Sequence, residues 1–301
     1  MWDFQILGID FYHVTAWFYL YSFLGWLWES SYVSIKQKKL VNRGFVNGPL
    51  CTIYGVGAVS VYLILRPLEG NWVVLYLGGV VLATVLEYIT ALLMEGLFHT
   101  SWWDYSDKKF NFQGRICLGS SLAWGVFTLL MFGVLQPFVE YIVCLFDVAV
   151  GKAAILIATI LYLVDFTFAV LGALQLGKKL EQAERAMAEL SEYLQQTRIY
   201  ASAEELVERL EPYRKSLSRA GMKEKLEKYQ EIVTELLEKR GLSEQKNAVL
   251  EKFKGNSEKF GAVSKGGWNS RRLMRSYPNL GKASRLHRSI LKKRRMRRNK
   301  K

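Results

Sequence analysis

Apolar residues fall in long, nearly uncharged runs over the first 176 positions and thin out abruptly after Lys178. A helix needs about 20 apolar residues to cross the hydrocarbon of a bilayer. Runs at about 14–34, 50–66, 72–94, 117–140 and 153–176 meet or approach that length. The pattern predicts an all-α, polytopic transmembrane helix bundle of about five spans. The second run is short, and Gly48, Pro49, Gly55 and Gly57 stand at or near its start. That composition predicts an irregular beginning or a loop that dips into the membrane.

The pattern changes after the fifth run. Leu180, Met187 and Leu194 recur at heptad spacing, with Ala183 and Leu190 between them. This predicts a helix continuing the fifth span over 178–199, in a short coiled coil or a local helical hairpin. Ser202-Ala-Glu-Glu205 reads as a capping box that starts a second helix, which Pro212 interrupts. Leu226, Tyr229, Val233, Leu236 and Leu237 form the stripe of a third, and Gly241 suits its C-terminal cap. The predicted organisation is a transmembrane domain (1–177), a cytoplasmic helical region (178–254) and a basic, disordered tail (255–301).

Charge sharpens this division. The net charge is +14, yet Lys259 to Lys301 hold 16 Lys and Arg and no acid, leaving 25 basic and 27 acidic residues elsewhere. Cations also alternate between loops. Lys36, Lys38, Lys39 and Arg43 follow the first run, Lys108, Lys109 and Arg115 the third, and Lys178 and Lys179 the fifth. The other two loops offer only Arg66 and Lys152. Positive charge stays cytoplasmic, so the N-terminus is predicted outside and the C-terminus inside. Trp72, Trp102, Trp103 and Tyr105 are predicted as interfacial anchors. The first ten residues hold Asp3 and Asp10 but no cation, so no cleavable signal peptide is expected. In the tail, Leu286, Ile290, Leu291 and Met296 alternate with Lys and Arg. That pattern predicts docking on the anionic inner leaflet. Nucleic acid draws on the same charge, but no nucleic-acid-binding motif accompanies it.

Four acids lie in or near apolar runs: Asp165 and Glu87 deep, Glu29 and Glu95 towards the cytoplasmic ends. Charge in the hydrocarbon costs about 2.5–3.5 kcal/mol on insertion scales. The cluster reads either as part of a solute or proton path or as hydrogen-bonded carboxyls that hold helices together. The loops add Arg43, Gly44, Asn47, Gly48 and Pro49, then Trp102, Trp103, Asp104 and Tyr105, then Asn111, Gly114 and Arg115. Their Gly and Pro predict sharp turns at the cytoplasmic face, and Arg43 and Arg115 could pair with Glu29 and Glu95 or bind lipid phosphate. A shift of 66 positions aligns Glu29 with Glu95, Gly48 with Gly114 and Cys51 with Cys117, a candidate parallel repeat.

No enzyme signature emerges. There is no HExxH and no GxSxG, and Cys51, Cys117 and Cys144 have no zinc-type spacing and read as packing residues. Gly172-Ala-Leu-Gln-Leu-Gly-Lys-Lys179 has phosphate-loop spacing but lacks the final Ser or Thr and ends an apolar helix. No catalytic residue, cofactor or metal is expected.

The loop motifs carry a resemblance. Phe23-Leu-Gly-Trp-Leu-Trp-Glu29, Arg43-Gly-Phe-Val-Asn-Gly-Pro49, Tyr54-Gly55 and Gly57-Ala58 resemble a bacterial family, the CmpB-like ABC-transporter type IV permeases. So do Leu86-Glu-Tyr88, Trp102-Trp-Asp-Tyr-Ser106, Phe110-Asn111, Gly114-Arg-Ile-Cys117 and Trp124-Gly125. The resemblance runs from about residue 16 into the fifth span and implies a multi-pass permease of the bacterial cytoplasmic membrane. Its substrate is not defined, and any ATPase must be a separate ATP-binding subunit. A homo-oligomer is compatible with it. The rival reading is a membrane-anchored adaptor whose cytoplasmic helices and basic tail recruit partners or anionic lipid.

Overall fold

Helix dominates the computed structural model, which describes residues 2, 4–196, 267–277 and 280 and scattered positions between 230 and 255. The expected capping box at Ser202, the break at Pro212, the cap at Gly241 and the basic segment after Lys282 lie outside the described residues.

The helices are α1 (Phe11–Gln37), α2 (Thr52–Leu65), α3 (Trp72–Phe98), α4 (Leu118–Leu130), α5 (Gln136–Cys144), α6 (Val148–Gln196) and α7 (Trp268–Ser276). Met131–Leu135 form a π turn that joins α4 to α5. Pro137 explains it: proline has no N–H for the normal i→i−4 bond, and a wider turn absorbs the mismatch. Among the described residues, three stretches are long and apolar enough to cross a membrane: Trp72–Phe98, Leu118–Cys144 and Val148–Gln182. The first expected span falls on α1, and the second on the shorter apolar stretch Thr52–Leu68.

Two short antiparallel hairpins depart from the all-helical expectation. Gln5–Ile6 (β1) pairs with Ile9–Asp10 (β2), and Asn111–Phe112 (β3) with Ile116–Cys117 (β4). Leu7 and Gly8 both have positive φ, the geometry of a tight hairpin turn. Asp10 then caps α1, its side chain accepting from the His13 amide at 3.1 Å.

The chain forms two compact units, Met1–Leu93 with Trp103–Leu171 and Met94–Trp102 with Gly172–Lys301. In the first, Tyr12, Trp17 and Tyr21 of α1 pack with Val59, Val61 and Leu63 of α2 and with Met131, Phe132 and Val139. Gly25 makes the α1–α2 approach possible, since a Cβ there would fall 2.3 Å from the Tyr54 ring. Val73, Leu77, Val81 and Val85 form an exposed apolar stripe on α3, the surface that a lipid-facing helix presents.

In the second unit, Ala173, Leu176 and Leu180 are buried. The Thr100 hydroxyl donates to the Leu280 carbonyl at 2.7 Å, and the Trp102 and Tyr277 rings meet at 4.8 Å. One expectation fails here. Trp102 is 5% exposed and so is no interfacial anchor. Within 255–301 the described residues include the α7 helix, with Leu273 fully buried. Leu273 on the helix and Leu280 beyond its end are both buried, apolar contacts that a charge count overlooks. As expected, α6 carries the helix of the fifth span onward, to Gln196; heptad pairing over its last turns lies outside the described side chains.

The 66-residue shift has structural counterparts. Cys51 is the N-cap residue of α2 and Cys117 that of α4, where a capping box with Ser120 forms. The loop asparagines Asn42 and Asn111 stand 69 positions apart and do not align under that shift, and Glu29 and Glu95 fall in different compact units.

Candidate functional site

The loop after α1 folds back along the helix that precedes it. Lys38 ends the helix in the left-handed conformation, and the chain turns back along α1. The Val41 amide donates to Ser34 Oγ, the Arg43 amide to Ser30 Oγ, and the Cys51 amide to the Ser22 carbonyl. From Gln37 to Ser22 is about 22 Å at 1.5 Å per residue. Arg43, Gly44, Asn47, Gly48 and Pro49 lie in this returning segment. The segment runs back to Ser22, and α2 is short because it begins well along α1. Asn42 holds the segment together. Its Oδ1 accepts from Trp26 Nε1 and the Gly44 amide, and its Nδ2 donates to the Asn47 carbonyl.

The segment ends on Asp165 of α6. The Asn47 amide and Nδ2 donate to Asp165 Oδ1 at 3.1 and 2.7 Å, and the Gly48 amide donates to Oδ2 at 2.7 Å. Glycine at 48 permits this approach, because a Cβ would stand 3.3 Å from that oxygen. Asn47 Oδ1 is buried with no hydrogen-bond partner among the described residues. It is an acceptor left open beside a carboxylate. The same segment sends Arg43 to Glu29, with Nε at 3.0 Å and Nη2 at 2.7 Å from Oε1. The Cys51 thiol donates to Glu29 Oε2 at 3.6 Å.

The loop after α3 repeats the arrangement. Tyr105 returns to donate its hydroxyl to Glu87 Oε1 at 3.0 Å, and Trp124 Nε1 of α4 donates to Oε2 at 3.2 Å. Glu87 is 8% exposed. Burial, then the neighbouring Glu87 charge, pushes the Tyr105 phenol well above its ordinary value. Trp103 Nε1 donates to the Arg115 carbonyl, and the Arg115 guanidinium contacts Gln113 Oε1 and lies 5.9 Å from the Tyr88 ring centre. Asn111 accepts from the Gly114 amide, and Asp104 accepts from the Ser106 amide and hydroxyl. Tyr54 links the two arrangements. Its ring lies 6.3 Å from Trp124, within electrostatic reach of Glu29, Arg43 and Tyr105.

Glu95 belongs to the other unit, where it is 5% exposed and accepts from Ser101 Oγ at 2.9 Å. Of the predicted acids, three therefore share one unit, each bonded to a loop or helix partner. Sequence reading passed over Asn42, Tyr54 and Trp124 as site residues. Asn42 carried no signal, while Tyr54 and Trp124 stood inside the family motifs.

These geometries coincide with a family assignment. A model for the family described as "Putative ABC-transporter type IV" matches residues 16–170, which include Glu29, Arg43, Asn47, Glu87, Tyr105 and Asp165. No curated protein and no solved structure gives a significant match. The matched region covers just over half of the 301 residues and includes both returning loops and their carboxylate partners, so the chain belongs to this ABC-transporter type IV family.

Proposed function

We propose that the chain is the membrane-spanning, permease-type component of a transporter, without catalysis of its own, energised by an ATP-binding subunit on a separate chain. The observation that carries this reading is the grip of a returning loop on Asp165, with Asn47 Oδ1 left open beside it. Carboxylates at membrane depth are expensive and usually face partners or a solute path. Here two of them, Glu87 and Asp165, meet polar loop atoms that lead back towards one side of the bundle. A solute or proton moving along that surface meets donors and acceptors in place of hydrocarbon.

In this reading α1 to α6 make five passes, with α4 and α5 joined as one, the N-terminus outside and the C-terminus cytoplasmic, as the loop cations require. The basic tail meets anionic inner-leaflet lipid in preference to nucleic acid. Crosslinking in native membranes followed by affinity purification tests the proposal. An ATP-binding subunit should co-purify. Recovery of the chain with only non-ATPase partners would overturn it.

A second reading, the membrane-anchored adaptor, is favoured by the length of α6. Its 49 residues make about 74 Å of helix, more than twice the hydrocarbon thickness. A truncated chain that lacks the spans and still restores a deletion phenotype would select this reading.

A further inference from the structure

We propose that His13, Glu140 and Cys144 form a binding site for a zinc-class divalent cation where α1 begins and α5 ends. One ligand atom from each residue lies within 4.8 Å of the others. His13 Nε2 is 3.5 Å from Glu140 Oε1, and Cys144 Sγ is 3.7 Å from the same oxygen. Around a tetrahedral zinc with bonds of 2.0–2.3 Å, ligand atoms stand about 3.3–3.8 Å apart. Two of the three separations already have that value, and the third closes with a side-chain rotation.

The surrounding bonds prepare these atoms for a metal. His13 Nδ1 lies 2.6 Å from Asp10 Oδ2, while Asp10 Oδ1 is fixed by the His13 amide. A carboxylate on one ring nitrogen sets the tautomer and turns the lone pair of the other towards the ligand, as in carboxylate–histidine–zinc triads. Trp17 Nε1 donates to Glu140 Oε2 at 2.8 Å and so leaves Oε1 to bind. Glu140 and Cys144 are one helical turn apart on α5 and share a face. With Nε2 unprotonated, three electron-pair donors converge, an arrangement that a shared cation satisfies. Imidazole, thiolate and carboxylate together suit zinc better than the oxygen-seeking magnesium or calcium. Binding deprotonates the Cys144 thiol, the proton passing to solvent. A neutral His, a thiolate and a carboxylate balance the two positive charges, and a fourth position is open to water. His13 and Glu140 are part-exposed and Cys144 is exposed, so an ion can reach them.

The rival is a plain His13–Glu140 ion pair with a bystander thiol. Purified full-length protein in detergent, stripped with a chelator, separates the two. Cys51 and Cys117 are buried, so maleimide labelling of the folded protein reports Cys144. Added ZnCl2 should slow that labelling about tenfold, because the coordinated sulfur is no longer available as nucleophile. CoCl2 should give a thiolate-to-metal charge-transfer band that Cys144→Ser abolishes. His13→Ala should lower bound zinc measured by elemental analysis. Unchanged labelling at saturating zinc, or equal zinc content in wild type and Cys144→Ser, would overturn the site. The labelling arm uses the wild-type chain and decides the matter even if a variant fails to fold. None of these readouts depends on transport.

Discussion

Asn47 reaches across 118 residues of sequence to place two hydrogen bonds on a single oxygen of Asp165. One comes from its backbone and one from its side chain, so the pair fixes both the course of the loop and the rotamer. Asp165→Ala strands three part-buried donors, and each unsatisfied group costs up to about 1–3 kcal/mol. Asp165→Asn keeps an acceptor in place. We expect Asp165→Ala to lower the detergent melting temperature markedly. Asp165→Asn should melt nearer the wild type, reach the membrane normally, and still lose activity in a transport or complementation assay. Glu87→Gln should behave like Asp165→Asn. Full activity in both conservative variants would leave the carboxylates a structural role alone.

The Arg43–Glu29 pair is largely shielded, with side-chain exposures of 17% and 22%. A double-mutant cycle with Arg43→Ala and Glu29→Gln should give a coupling of about 1–3 kcal/mol, well above that of a surface pair. Arg43→Lys should recover little of it, because Lys lacks the two-nitrogen approach to Oε1. Near-additive losses in urea or thermal unfolding would contradict this.

Tyr105 carries a pH signature. Its hydroxyl sits above the ordinary phenol value, so its contribution is present in full below about pH 10 and is lost as pH rises through the higher folded value. Tyr105→Phe, which removes one bond to Glu87, should therefore lose less stability than wild type between about pH 10 and 11. Melting curves collected across that range test the sign. Parallel curves for the two proteins would show that the phenol titrates as it does in the unfolded chain.

Orientation is open to a chemical test. On a cysteine-free background, a cysteine at Lys38 or Lys265 should resist an impermeant reagent in intact cells and react after the membrane is opened. Labelling from outside would reverse the assigned topology.

The helices were legible because hydrocarbon imposes length and composition directly, and α3, α6 and the joined α4–α5 stretch match their apolar runs closely. Tyr54 and Trp124 stood within recognisable motifs, but their convergence needed the helices to be packed. The loops were less legible. Gly and Pro announced a turn at 44–49, yet nothing local says that the chain returns along α1. That course is set by Ser30 and Ser34, whose hydroxyls look like ordinary polar residues in a span. The His13 cluster was illegible for the same reason: its ligands stand 127 residues apart. The α7 helix was hidden by charge, because Leu273 is one apolar position among arginines until its partners are known.

The Asn47–Asp165 contact also sets an order of events. The first returning loop is made early, while its acceptor sits in the last apolar helix and emerges more than a hundred residues later. Until then, the amides of Asn47 and Gly48 must wait in or beside the bilayer, where unpaired polar groups are costly. A nascent chain halted before α6 carries this exposed polarity as a molecular mark of incompleteness. The mark is erased once Asp165 and the helix that carries it are in place.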